Sequence, residues 1–165
     1  MTETRTIRKH FQTLPGILTR ELNTEIKALV QELEMGCCSK RNGYILEIDD
    51  INIRSCSVSE SNSFLNFDID YTAITLKPRV GSLYTARVCL IFEMGILVNV
   101  AEIMKVLIPT SSNANFVFDS DLNRIKYKKN NSDVIIDNGD LVRISVTGVQ
   151  YNESTLSFNC YGVLV

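Results

Sequence analysis

The chain has 165 residues, room for one medium domain or two small ones. Hydrophobic residues make up 45% and charged residues 22%, globular values that exclude a disordered chain. The net charge is −2, with ten basic against eleven acidic residues up to Val80 and seven against eight beyond it. Neither part is a polycation, so strong sequence-independent DNA binding is not expected from the whole surface, while local RNA binding stays open.

The first periodic element runs from Pro15 to Met35. Leu18, Leu22, Ile26, Leu29, Val30 and Leu33 recur every three or four positions and fall on one helical stripe, with Arg20, Asn23, Lys27, Gln31 and Glu34 opposite. Pro15 suits the first turn, and Gly36 suits the position past the end. The pattern predicts one amphipathic helix packed by its stripe on a sheet. Strand signals follow. Gly43 to Ile48 reads as a strand after an Asn42-Gly43 turn, and Ile51 to Arg54 as a second. Ser55 to Ser63 is polar and reads as an exposed loop. From Phe64 to Leu76, Phe67, Ile69 and Tyr71 alternate with Asp68, Asp70 and Thr72, the mark of a strand with one buried face.

Pro78 interrupts this pattern, because proline cannot donate to a sheet ladder. A domain boundary is expected near Val80, giving domains 1–80 and 81–165. Beyond it, Leu83 to Phe92, Gly95 to Val100, Lys105 to Ile108, Arg124 to Lys128, Leu141 to Val149 and Thr155 to Val163 all have strand character. Met94-Gly95 is a bend, Thr110 to Asn115 a polar loop and Asn138-Gly139-Asp140 a turn. Five to six strands with almost no helical signal predict a small closed β-barrel.

No apolar run reaches the roughly 20 residues needed to span a bilayer, and Met1 to His10 lacks an apolar signal region. A soluble chain with no membrane partner is expected. The cysteines, Cys37, Cys38, Cys56, Cys89 and Cys160, are odd in number and form no disulfide or zinc spacing, which fits a reducing compartment. His10 is the only histidine, and no phosphate loop or dinucleotide fingerprint is present. No catalytic residue, metal or cofactor is expected. Asp68-Ile69-Asp70 puts two carboxylates on one strand face, where chelation is possible. The alternation with Phe67, Ile69 and Tyr71 explains it more simply as a solvated outer face.

Two stretches carry a resemblance. One is Met35-Gly36-Cys37-Cys38-Ser39-Lys40-Arg41-Asn42-Gly43-Tyr44-Ile45-Leu46. The other runs from Phe67 through Tyr71 to Pro78 and Gly81, then over Gly95 to Val100 and Ile103 to Pro109. In this order they resemble the larger stalk subunit of archaeal and eukaryotic DNA-directed RNA polymerases, nearest the RNA polymerase II version. The resemblance covers nearly the whole chain and extends to versions carried by large DNA viruses.

It implies an α+β fold, an N-terminal tip domain with a helix on a small antiparallel sheet, followed by an all-β OB-type barrel. The tip domain would plug into the polymerase core through the turn at Gly36, Cys37, Ser39, Lys40 and Gly43 and the loop at Ser57, Val58, Ser59 and Phe64. The barrel would project near the RNA exit path. The partners implied are the core subunits, a small helical stalk partner and, weakly, nascent single-stranded RNA. The expected location is the nucleus for a cellular chain, the host cytoplasm or virion for a viral one. Met94 and Leu97 stand where such barrels often carry stacking aromatics, with Phe92 nearby.

That leaves Arg124-Ile125-Lys126-Tyr127-Lys128-Lys129, the basic run with an aromatic inside it, as the expected RNA contact, helped by Arg87 and Lys105. Its plain alternative is a solvated edge strand guarded by lysines. Two other functions compete: a free-standing OB-fold protein that binds single-stranded RNA, and a small enzyme using Asp68 and Asp70. The first should be more basic than this chain, and the second should show convergent titratable groups.

Overall fold

Alternating apolar side chains along paired strands organise both parts of this mostly β protein. The computed structural model describes residues 1–112 and 116–165, in two compact units, Thr2–Lys77 and Pro78–Val165 with Met1. In the first unit, β1 (Thr2–Thr13), β2 (Cys38–Ser39), β3 (Gly43–Val58) and β4 (Leu65–Leu76) form one antiparallel sheet in the order β1-β4-β3-β2. Phe67, Ile69, Tyr71 and Ala73 of β4 point inward, as their alternation predicts, and are essentially inaccessible. They share a core with Phe11 of β1, Ile45 and Ile48 of β3, and Ile26 and Val30 of the helix α1 (Leu22–Glu34).

The helix is shorter than its periodicity predicts. Pro15–Ile17 is a separate 3-10 turn, closed by the Leu18 amide donating to the Pro15 carbonyl, and Leu18 is exposed. The buried stripe is Ile26, Val30 and Glu34, three positions four apart. Leu33, expected inside, is 49% exposed, and Glu34, expected outside, is 6% exposed. Glu34 lies inside because it has partners there. The Tyr71 hydroxyl donates to its Oε2 at 3.0 Å, and Lys9 Nζ reaches its Oε1 at 2.5 Å. Burial and the neighbouring Glu34 carboxylate raise the Tyr71 phenol pKa.

β3 is one strand where the sequence suggests two strands and a loop. Its pairing with β4 slips between Ile45 and Glu47, Ile48 and Ile51, and Ile53 and Ser55, each slip adding one residue. Bulges keep a strand paired while breaking its alternation, so the pattern alone reads as an interruption. Ser55 to Val58 therefore belong to the strand, and the turn is confined to Ser59–Phe64, where the Ser59 amide donates to the Phe64 carbonyl.

In the second unit, β5 (Leu83–Phe92), β6 (Gly95–Val100), β7 (Met104–Pro109), β11 (Leu141–Asn152) and β12 (Ser157–Leu164) close a barrel in the order β11-β12-β7-β6-β5. β12 runs parallel to β7, and every other pairing is antiparallel. Counting barrel strands along the chain, the fifth lies between the third and the fourth, a Greek-key closure of the OB-like kind. Val88, Ile96, Val98, Met104, Val106, Ile108, Ile144 and Val146 fill the interior.

Between β7 and β11 the chain forms a small antiparallel sheet of β8 (Val117–Asp119), β9 (Arg124–Lys129) and β10 (Ser132–Ile136), in the order β10-β9-β8. The polar loop expected over Thr110 to Asn115 begins as a 3-10 turn, Thr110–Ser112, and its last three residues lie outside the described ones.

Candidate nucleic-acid interface

The outward face of the barrel presents two parallel rows of side chains. Register puts Arg87 of β5 opposite Asn99 of β6, and Asn99 opposite Lys105 of β7. The structure thus brings together two of the expected basic residues, separated by one amide. Asn99 Oδ1 is buried and has no hydrogen-bond partner among the described residues.

The second row is apolar. Leu90 pairs with Leu97, Leu97 with Leu107, and Leu107 with Tyr161 of β12. Tyr161 pairs in turn with Gly148 of β11, and its ring lies against that strand. The ring remains 46% exposed, and Leu90 is 50% exposed. Met94 stands at the β5–β6 turn, 77% exposed. This surface combines cations and one open aromatic ring, the elements that hold a single-stranded backbone and stack its bases.

The basic run lies elsewhere, on the middle strand of the small sheet. Alternation along β9 puts Ile125, Tyr127 and Lys129 on one face and Arg124, Lys126 and Lys128 on the other. The Tyr127 ring meets Phe116 edge-on at 5.6 Å. Lys126 and Lys128 therefore point away from it. Acidic neighbours offset much of the charge, since Arg124 pairs with Asp137 and sits opposite Asp119, while Lys128 sits opposite Asp133. Lys129 Nζ donates to the Val165 carbonyl at 2.9 Å.

In the first unit, the outer carboxylates of β4 are held by their neighbours. Asp70 receives Arg8 at 2.9 Å and Arg54 at 2.8 Å. Asp68 receives His10 Nδ1 at 3.0 Å and the Ser55 hydroxyl at 2.9 Å. Those hydrogen bonds hold both carboxyl groups below the usual carboxylate range, His10 first for Asp68 and Arg8 first for Asp70. Ser55 and His10 both bond Asp68 rather than each other, which is not the arrangement of an activated nucleophile. Among the described residues no cluster of three His, Cys, Asp or Glu gathers that could hold a metal ion.

The residues expected to dock on a polymerase core divide between the two ends of β3. Gly36, Cys37, Ser39, Lys40 and Gly43 lie around its start, and Ser57, Val58, Ser59 and Phe64 around its finish. β3 is sixteen residues long from Gly43 to Val58, roughly 45–50 Å of extended chain. Gly43 is itself held by the fold. Its φ is +81°, and a Cβ there would collide with the Leu76 carbonyl and Lys77 Cα.

No family model matches the chain. Over 140 residues, 82% of this chain and 80% of the relative, it is 26% identical to "DNA-directed RNA polymerase II subunit rpb7" of Schizosaccharomyces pombe. The chain is similar to an RNA polymerase II subunit. The resemblance read from the two sequence stretches is borne out, and the closed OB-like barrel agrees with it.

What sequence reading missed in this stalk-subunit relative is Tyr161. The signal was present in β12, where Phe158 and Cys160 are buried and Asn159 and Tyr161 are exposed. Alternation alone cannot tell which outward positions of one strand will align with those of another. The parallel pairing of β12 with β7 decides that.

Proposed function

We propose that this chain is a non-catalytic stalk subunit of a multi-subunit DNA-dependent RNA polymerase. It attaches through the unit of residues 2–77 and handles nascent RNA on the outer face of its barrel. The observation that carries this reading is the similarity to an RNA polymerase II subunit along most of both chains. Gly36, Cys37, Ser39 and Lys40 at one end of β3, and Ser57, Val58, Ser59 and Phe64 at the other, serve as separate contacts with core subunits. A small helical partner completes the stalk. The fungal relative favours a cellular, nuclear setting over a viral one.

For RNA, Arg87 and Lys105 supply two cations, and Tyr161 supplies a stacking surface of about 1–3 kcal/mol per base. With few cations, binding is weak, salt-sensitive and without sharp sequence preference. Arg124, Lys126, Tyr127, Lys128 and Lys129 form a secondary contact, weakened by their acidic neighbours.

The test is affinity purification of the tagged chain at low salt, followed by crosslinking to nascent transcript. Large polymerase subunits should accompany the wild-type chain. Tyr161→Ala combined with Lys105→Glu should lower crosslinking without releasing the polymerase, and by more than Lys126, Lys128 and Lys129 all changed to Glu. If RNA is recovered without polymerase subunits, the chain is a free-standing RNA-binding protein.

A further inference from the structure

β10 is the end strand of its three-stranded sheet, so one of its edges is unpaired within that sheet. Natural edge strands are usually blunted by lysine, proline or a bulge. β10, Ser132-Asp133-Val134-Ile135-Ile136, has neither residue, its one charge is Asp133, and its register with β9 runs without a slip.

A groove of about 340 Å³ opens beside it. Val134, Ile135 and Ile136 line one wall and Leu141, Val142 and Arg143 the other. Tyr127 and Lys129 of β9 and Leu164 and Val165 complete its lining, so the groove reaches from the face of the small sheet to the edge of β10. β11 takes up its register with β12 from Ile144, and the Arg143 carbonyl accepts the Val165 amide at 3.1 Å, which leaves Leu141 and Val142 beside the gap. Ile135 and Leu141 are 48% and 65% exposed there. Lys129 and the exposed Arg143 bring positive charge. Asp140, whose carboxylate accepts the Asp137 amide at 2.8 Å, also lines the groove and offsets part of that charge.

We propose that the open edge of β10 is a docking site for an extended segment of a partner protein, taken up as an added strand. The occupant's chemistry follows from the walls. Unpaired main-chain groups call for another strand, Ile135 and Leu141 for apolar residues at alternate positions, and Lys129 and Arg143 for acidic residues between them. A nucleic acid has no peptide ladder to offer the edge.

The experiment uses the full chain and a fluorescent twelve-residue peptide alternating Val with Glu, followed by fluorescence anisotropy at low salt. Saturable binding is expected, at least about tenfold weaker for a Val/Lys peptide and for the Val/Glu peptide N-methylated at alternate amides. Arg143→Glu, a surface change, should weaken the Val/Glu peptide about tenfold. Hydrogen exchange should slow at Val134 to Ile136 when that peptide binds. Absence of binding, equal binding of the N-methylated peptide, or unchanged exchange in β10 would overturn the proposal. So would displacement of the peptide by an equal concentration of oligouridylate, which would make the groove an RNA track.

Discussion

Ile26 and Leu33 lie on the same predicted helical stripe, yet the structure separates them completely. Ile26 is 0% exposed in the core beneath α1, and Leu33 is 49% exposed. Ile26→Ala removes about three methyl or methylene groups, at about 0.8 kcal/mol each in transfer alone. The surrounding core relaxes only partly, which adds a cavity term and brings the cost to about 3–4 kcal/mol. Leu33→Ala, already half in water, should cost under about 1 kcal/mol. The helical signal in far-ultraviolet circular dichroism isolates the first unit, since α1 is the one α-helix among the described residues. Urea titrations followed at that signal give both values. Equal costs for the two variants, or less than about 1 kcal/mol for Ile26→Ala, would refute the placement of α1 on its sheet.

Gly43→Val should destabilise the first unit, by about 1–2 kcal/mol for the left-handed backbone alone and more from the clash with the Leu76 carbonyl. Its thermal unfolding should shift even where no polymerase is present, and an unchanged melting temperature would show that the close approach is absent. Asp70→Asn should lower stability at pH 7. Because the folded-state pKa of Asp70 is depressed, its contribution is full above the ordinary carboxylate range and is lost as pH falls through the folded value. The gap between wild type and variant should therefore narrow below about pH 4, and a gap independent of pH would exclude the Arg8 and Arg54 contacts as its source. Brief alkylation of the native protein should modify Cys37, Cys56 and Cys89 and spare Cys160, which is buried and has its thiol pKa pushed up to about 11. Rapid labelling of Cys160 would mean that the barrel opens readily.

The alternation in β4 and the barrel strands was legible residue by residue. The expected Leu83 to Phe92 and Gly95 to Val100 coincide with β5 and β6. Elements whose pattern is interrupted were not legible. The bulged β3 looked like two strands and a loop, and β1, with Arg5, Arg8, Lys9 and His10, looked like a polar terminus. Arg8, Lys9 and His10 meet Asp70, Glu34 and Asp68, which come from β4 and α1.

The candidate site divides the same way. Tyr127 among lysines reads as one binding cluster in a linear sequence, but a strand sends neighbours to opposite faces, and Asp119, Asp133 and Asp137 arrive from flanking segments. Arg87, Asn99, Lys105 and Tyr161 are scattered through the chain and become one surface only when the barrel closes with β12 parallel to β7. Local periodicity, set by backbone geometry, determined from the sequence alone which side chains point inward and where most strands run. Which outward side chains become neighbours depends on interstrand register, a long-range property that tertiary closure alone decided.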